Sequence, residues 1–225
     1  MLPISSFSAT ASASPGSVAL VLLAAGASTR MGRPKQLLPY HNRSLVRHAA
    51  ETAVATGYGP IVLVTGAVHE ALVAEIAGLP VQASHNPDWA TGMASSIRVG
   101  LATVVSARPA AVLIMLCDQP LVSPELLRQL VSQQQQSQAP IVAAAYGDTV
   151  GVPAVFDKTL IPQLLALQGP QGANRLIASF GTAVGRVAFD AGLLDVDTPE
   201  QYAALLAQPT SYPIPAPAAC WPAKP

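Results

Sequence analysis

Charge is scarce in this chain. Only 11% of its 225 residues are charged, and 12 Lys and Arg balance 12 Asp and Glu for a formal net charge of zero. That balance excludes a broad basic face for nucleic acid or an anionic membrane, so any bound polyanion must be small and held locally. Cysteine is scarce too: Cys117 ends an apolar run and Cys220 lies near the C-terminus. The pair offers neither metal-ligand spacing nor a disulfide framework, which fits a reducing, cytoplasmic setting. No run of about eighteen apolar residues occurs, so no membrane span is expected. The histidines, His41, His48, His69 and His85, lack the mutual spacing of a zinc site, and surface or packing roles are expected for all of them.

What the chain does have is apolar content, 51% of its residues, enough to bury one sizeable core. Residues 1–17, rich in Ser and Ala, lack the basic start and apolar stretch of a secretory signal and are expected to be a disordered leader. Residues 209–225 alternate Pro and Ala around Trp221, which favours an extended tail over a packed helix. A single domain is therefore expected over residues 18–208. Short Val- and Ile-rich runs alternate there with helical patterns, predicting an α/β domain with a mostly parallel central sheet and helices on both faces. Strands are expected near residues 18–23, 61–65, 81–84, 111–116, 141–146 and 183–189. Helices are expected near 44–56, 68–77, 92–104, 124–136, 157–167 and 199–207. The glutamine run 133–136 reads as the exposed end of a helix. Ligands of such sheets sit at the carboxyl ends of strands, which singles out the loops after Leu23, Leu116 and Phe189.

The first of these loops, "LAAGASTRMGRPK", gathers two arginines and a lysine where a buried strand ends. It fits neither the Walker A pattern, because Gly32 is followed by Arg33, nor the dinucleotide fingerprint, whose glycines are closer than Gly26 and Gly32. Its chemistry is still that of an anion cradle. Gly26 and Gly32 allow positive φ and close backbone approach, and Arg30 and Lys35 can neutralise phosphate from opposite sides. A solvated Gly-rich turn would carry the same spacing.

Three further segments bear polar groups at strand ends. In "LIMLCDQP", Asp118 follows a buried strand and suits either Mg²⁺ or a simple turn before Pro120. In "DVDTPEQY", Asp197 or Thr198 could cap a helix that has Pro199 in its first position. Of the two carboxylates in this segment, Asp195 and Asp197, Asp197 is the preferred one. In "HNPDWATGMASS", Gly92 allows a turn into a helix whose first turn carries Ser95 and Ser96, near donors that attract anions; Trp89 taken alone reads as a core anchor.

The stretch "LAAGASTRMGRPKQLLP" resembles the signature of nucleotidyltransferases related to molybdenum cofactor guanylyl- and cytidylyltransferases, with the cytidylyltransferase branch the nearer. The resemblance extends over roughly residues 18–206 and implies a Rossmann-like nucleotidyltransferase fold that carries the triphosphate on this loop. It implies backbone contacts to base and ribose from Leu23, Ala24, Ala25 and Gly26, and triphosphate contacts and catalytic roles for Arg30 and Lys35. Asp118 takes a catalytic role with Mg²⁺, with Asp197 as second metal ligand, and Gly92, Ser95 and Ser96 lie beside the nucleotide. The implied reaction transfers CMP from CTP to the molybdenum cofactor or molybdopterin, with a recipient molybdoenzyme or its chaperone downstream and no nucleic acid or membrane partner. The acceptor-side segment "GPQGANRL" departs from the family: Pro170 stands where an Asp is common, and Asn174 where an Arg is common. Transfer to a sugar or polyol phosphate, or a non-catalytic cofactor-binding module, therefore stays open.

Overall fold

The computed structural model describes residues 17–170, 172–193 and 195–207. The Pro/Ala tail and nearly all of the expected leader, with Cys220 and Trp221, lie outside the described residues.

Seven strands form the main sheet: β1 (Val18–Leu23), β4 (Ile61–Thr65), β5 (Gln82–His85), β6 (Ala111–Leu116), β7 (Ile141–Tyr146), β8 (Thr149–Asp157) and β9 (Val184–Ala188). A small hairpin, β2 (Pro39–Tyr40) and β3 (Arg43–Ser44), follows the loop after β1. The helices are α1 (Leu45–Ala55), α2 (His69–Glu75), α3 (Met93–Val104), α4 (Pro124–Ser137), α5 (Ile161–Leu165), α6 (Gly172–Phe180) and α7 (Pro199–Leu206). The sheet order is β5-β4-β1-β6-β8-β7-β9, parallel except at β8, which pairs antiparallel with both β6 and β7.

Every residue of β1 is buried because helices cover both sheet faces. Leu20 and Leu22 point into one core with Val46 of α1 and Leu127 of α4, while Val21 points into the other with Ile97 and Leu101 of α3. Gly100 lets α3 approach closely, since a Cβ there would lie 2.5 Å from Val21 Cγ1. Ser44, Ser123 and Thr198 cap α1, α4 and α7 by accepting from Arg47, Leu126 and Gln201 backbone N–H groups.

Three segments depart from the expected elements. Residues 149–157, which lie outside the expected strands, form β8. Pro153 is tolerated there because pairing with β6 ends at Ala154 and the partner β7 is irregular between Ala143 and Ala144. Residues 172–180, which follow the Gly- and Pro-rich stretch, form α6. The expected helix over 157–167 shrinks to a 3₁₀ turn, Lys158–Leu160, and the short α5 with Pro162 in its first turn. The glutamine run does finish a helix, α4.

Candidate active site

The loop leaving β1 is folded by one buried side chain. Gln36, 1% exposed, donates its amide to the carbonyls of Ala24 at 3.1 Å and Gly26 at 2.6 Å. Its own oxygen accepts from Ser28 Oγ at 3.2 Å, and Ser28 Oγ in turn accepts from the Lys35 backbone N–H at 3.1 Å. The two ends of the cradle are thereby tied to each other. Gly32 adopts the expected positive φ of 72°, but Gly26 does not; Ser28, at 58°, makes the left-handed turn instead. Such a turn is more costly for Ser than for Gly, and here the Ser28 hydrogen bonds to Gln36 and Lys35 offset it.

Lys35 points back across the end of the sheet. Its Nζ donates to Asp118 Oδ2 at 2.5 Å and to Asp197 Oδ1 at 2.6 Å, and Arg30 donates to Asp197 Oδ2 at 2.8 Å. Asp118 follows β6, whose last residues pair with β1. Asp197 is brought alongside it because the Val196 N–H donates to the Asp118 carbonyl at 3.0 Å while the Val196 side chain is fully buried. Asp195, on the opposite side of Val196, instead accepts from Gln119 at 3.1 Å. Thr198 rather than Asp197 is the N-cap of α7, completing a capping box with Gln201. Asp197 is therefore free to serve the site.

Electrostatics follow the geometry. Burial alone would lower the Lys35 pKa, but the Asp118 charge and the hydrogen bonds to Asp118 and Asp197 outweigh it and hold the ammonium above its ordinary value. Burial works against ionised Asp197, yet its bonds and charge interactions with Lys35 and Arg30 prevail and hold its carboxyl below the usual range. Asp195 is pushed up, by burial first and the Asp118 charge second. Cys117, buried next to Asp118 in the chain, has its thiol pushed up, by desolvation first and the Asp118 charge second.

A cavity of about 340 Å³ opens beside this ion cluster. Leu23, Ala24, Ala25 and Gly26 form one wall, and Lys35, Gln36, Cys117 and Asp118 another. Trp89, Gly92, Met93, Ser96 and Pro170 close it. Gly66, after β4, makes room for this arrangement: a Cβ there would lie 2.4 Å from the Ala25 carbonyl oxygen and 2.8 Å from Trp89. Gly92 has φ of 117° and a Cβ there would meet the Gly169 carbonyl oxygen at 2.6 Å, so the loop before α6 seals directly onto the start of α3.

Of the residues expected at the site, Leu23, Ala24, Ala25, Gly26, Lys35, Gly92, Ser96 and Asp118 line the cavity. Arg30 and Asp197 join through the ion cluster. Ser95 does not line the cavity. Its hydroxyl donates to the Gly92 carbonyl at 2.8 Å and accepts from Asn86 at 2.8 Å, and the same Asn86 amide bonds Ser96 Oγ at 2.9 Å. The first turn of α3 also spends its backbone donors internally, Ala94 on Gly169 and Ser95 on Gly92. Trp89, expected as a core anchor, is a half-buried cavity wall. Gln36 and Asn86 were not foreseen. No local pattern in "KQLLP" marks Gln36 as buried.

The donor set fits a divalent cation. Asp118 Oδ1 is buried without a hydrogen-bond partner, and two carboxylates converge on one cationic position. Among the described residues no group of three His, Cys, Asp or Glu comes together. That suits a hard cation that takes one or two carboxylates and completes its shell with phosphate oxygens and water. Asp118 and Asp197 would hold it. No helix among the described residues is long and apolar enough to cross a membrane.

A parallel sheet with a cradle after its first strand, and carboxylates with a lysine at its carboxyl edge, defines a nucleotide-handling α/β domain. The description "MobA-like NTP transferase domain" matches residues 20–185, and the chain belongs to that family. It is a nucleotidyltransferase. It is 35% identical over 197 residues to the nicotine blue oxidoreductase of Paenarthrobacter nicotinovorans, across 83% of this chain and 95% of the relative. To the purine catabolism protein PucB of Bacillus subtilis (strain 168) it is 31% identical, across 81% of this chain and 92% of the relative. The solved structure of Rv0371c from Mycobacterium tuberculosis H37Rv superposes with a TM-score of 0.75 at 33% identity, over 86% of this chain and 99% of that one. A manganese complex of Rv0371c superposes with a TM-score of 0.69 at 32% identity, over 84% and 98%.

Proposed function

We propose that the protein transfers CMP from CTP to the phosphate of the molybdenum cofactor, or of its molybdopterin precursor, in a Mg²⁺-dependent reaction. The observation that carries this reading is the Lys35 ammonium bridging Asp118 and Asp197 at the cavity wall facing the Ala24–Gly26 backbone. An acceptor phosphate oxygen attacks the α-phosphorus, the bond to the β-phosphate oxygen breaks, and pyrophosphate leaves with that electron pair. Lys35 and Arg30 neutralise charge moving onto the leaving group, while Gln36 and Ser28 hold the cradle in register. A bound cation on Asp118 and Asp197 would supply charge neutralisation at the phosphate oxygens. Such chemistry needs position and electrostatics rather than a protein nucleophile. CTP as donor rests on the resemblance of the loop and of the Trp89 to Ser96 segment to the cytidylyltransferase branch.

A second reading keeps the chemistry and changes the acceptor to a sugar or polyol phosphate. Pro170 favours it, because it lines the cavity in the segment that departs from the family. The name of one relative suggests a redox reaction in the same cavity, but the loop after β1 lacks the closely spaced glycines of a dinucleotide fingerprint.

The test is pyrophosphate release by purified protein with Mg²⁺, molybdenum cofactor and each of CTP, GTP, ATP and UTP. Release with CTP alone supports the proposal. Release with CTP only when a sugar phosphate replaces the cofactor selects the second reading. Oxidation of a reduced nicotinamide dinucleotide without any pyrophosphate overturns both.

A further inference from the structure

The carboxylates that fit a divalent cation are already neutralised from within the chain. Lys35 Nζ is within 2.6 Å of both Asp118 Oδ2 and Asp197 Oδ1, and Arg30 lies 2.8 Å from Asp197 Oδ2. Two cationic side chains thus cancel two anionic ones. The cancellation is shielded where it matters, since the Lys35 and Asp118 side chains are each only 14% exposed, whereas Arg30 is 70% exposed. A divalent cation bound to both carboxylates would have to share their facing oxygens with the ammonium. At such short range and partial burial the repulsion between the two cations is large. Pushing Lys35 aside with nothing to receive it would also leave a buried charge unpaired, which is among the costliest changes a protein can make.

A triphosphate changes that balance. It brings several negative charges into the adjacent cavity, and Lys35, already a cavity wall, can trade carboxylate oxygens for phosphate oxygens. We propose that Lys35 occupies the divalent-cation seat of the empty enzyme and yields it only to a cation that arrives with a triphosphate. The inference rests on the nucleotidyl-transfer reading for the triphosphate, and on the ion cluster alone for the occupied seat. Lys35 is then both the guard of the metal site and, once displaced, a phosphate ligand. Metal and nucleotide each strengthen the other's binding by the same factor. The unpartnered Asp118 Oδ1 is the oxygen of this cluster that the ammonium leaves free.

The experiment follows free Mn²⁺ by electron paramagnetic resonance while wild type, Lys35→Met and the double variant Lys35→Met/Asp118→Asn are titrated with Mn²⁺ alone. Lys35→Met is expected to bind Mn²⁺ at least about tenfold more tightly than wild type, with the gain lost in the double variant. Equal Mn²⁺ affinity in wild type and Lys35→Met overturns the proposal. Should Lys35→Met fail to fold by circular dichroism, wild type decides through its CTP affinity with Mn²⁺ and with chelator. Affinity raised at least about tenfold by Mn²⁺ supports the proposal, and unchanged affinity overturns it. If no nucleotide binds wild type under either condition, the transfer reading and the triphosphate half of the proposal fall together; a folded Lys35→Met then decides the seat through Mn²⁺ alone, and without one the proposal is overturned whole.

Discussion

Asp118 and Asp197 converge on one ammonium, that of Lys35, at 2.5 Å and 2.6 Å, while Asp195, two positions from Asp197, reaches Gln119 instead. The intervening Val196 is fully buried and its N–H is held by the Asp118 carbonyl, which sets Asp197 beside Asp118. Asp197→Asn is therefore expected to lower kcat by roughly a hundredfold or more, in the range seen when one electrostatic partner of a transition state is removed. Asp195→Asn keeps an acceptor for the Gln119 amide and is expected to change kcat by less than about tenfold. Steady-state pyrophosphate release of the two variants checks the difference. Equal losses would show that both carboxylates serve the reaction. Chelation of divalent ions is expected to abolish release in wild type.

Gln36 links the Ala24–Gly26 backbone to Ser28 and, through it, to Lys35. Gln36→Met keeps the length of the side chain and removes all its hydrogen bonds. The stranded carbonyl of the buried Ala24 costs about 1–3 kcal/mol, whereas the carbonyl of the exposed Gly26 can turn to water. The expected result is a nucleotide KM raised about tenfold or more, with acceptor KM little changed, because the segment read as acceptor-side, around Pro170, makes no bond to Gln36. Thermal melts alongside the kinetics separate this effect from simple loss of fold.

Much of this arrangement could be read before the fold was seen, and the reason is where the charges fall. In a chain this poor in charge, Lys35 and Asp118 follow the ends of apolar runs, so strand ends and chemistry mark the same places. Alternation about Val196 puts Asp195 and Asp197 on one face and cannot separate them; the hydrogen bonds of Val196 to Asp118 and of Gln119 to Asp195 do. What stayed hidden depends on distant partners. Pro153 argues against a strand until the pairing limits of β6 and β7 are known. Ser95 has the composition of an anion contact, yet Asn86, on the far side of the Trp89 turn, claims it. Gln36 is polar and buried because two carbonyls fold back onto it, and no local pattern encodes that return.

Gly66 gives a test of cavity shape. A methyl group there would meet the Ala25 carbonyl oxygen at 2.4 Å and Trp89 at 2.8 Å, and a backbone carbonyl cannot swing away as a flexible side chain can. Gly66→Ala is expected to destabilise the protein by about 1–3 kcal/mol, as overpacking does, and to weaken nucleotide binding by displacing the Ala25 wall. Urea unfolding and nucleotide titration measure the two effects. Unchanged nucleotide affinity would show that the Ala25 backbone is not part of the nucleotide site.

His48 gives the pH test. It is half-buried in α1 with its ring edge-on to Tyr40 at 5.0 Å, and its Nε2–H donates to the Pro120 carbonyl at 2.9 Å, two residues beyond Asp118. Burial lowers its pKa below the ordinary 6.5, and the carbonyl bond only partly opposes that. Below pH 6.5 the unfolded chain therefore takes up a proton that the folded protein resists. In that window the unfolded state binds more protons, so stability rises with pH and is lost as pH falls toward the folded pKa. Well above 6.5 the ring is neutral in both states and contributes no slope. His48→Gln keeps a donor for Pro120 and removes the titration. The difference in unfolding free energy between wild type and His48→Gln, measured in urea at about pH 7.5 and about pH 5.5, is expected to shift against wild type at the lower value. A difference that stays constant across the two conditions would place the His48 pKa at its ordinary value and free the Pro120 loop from any histidine control.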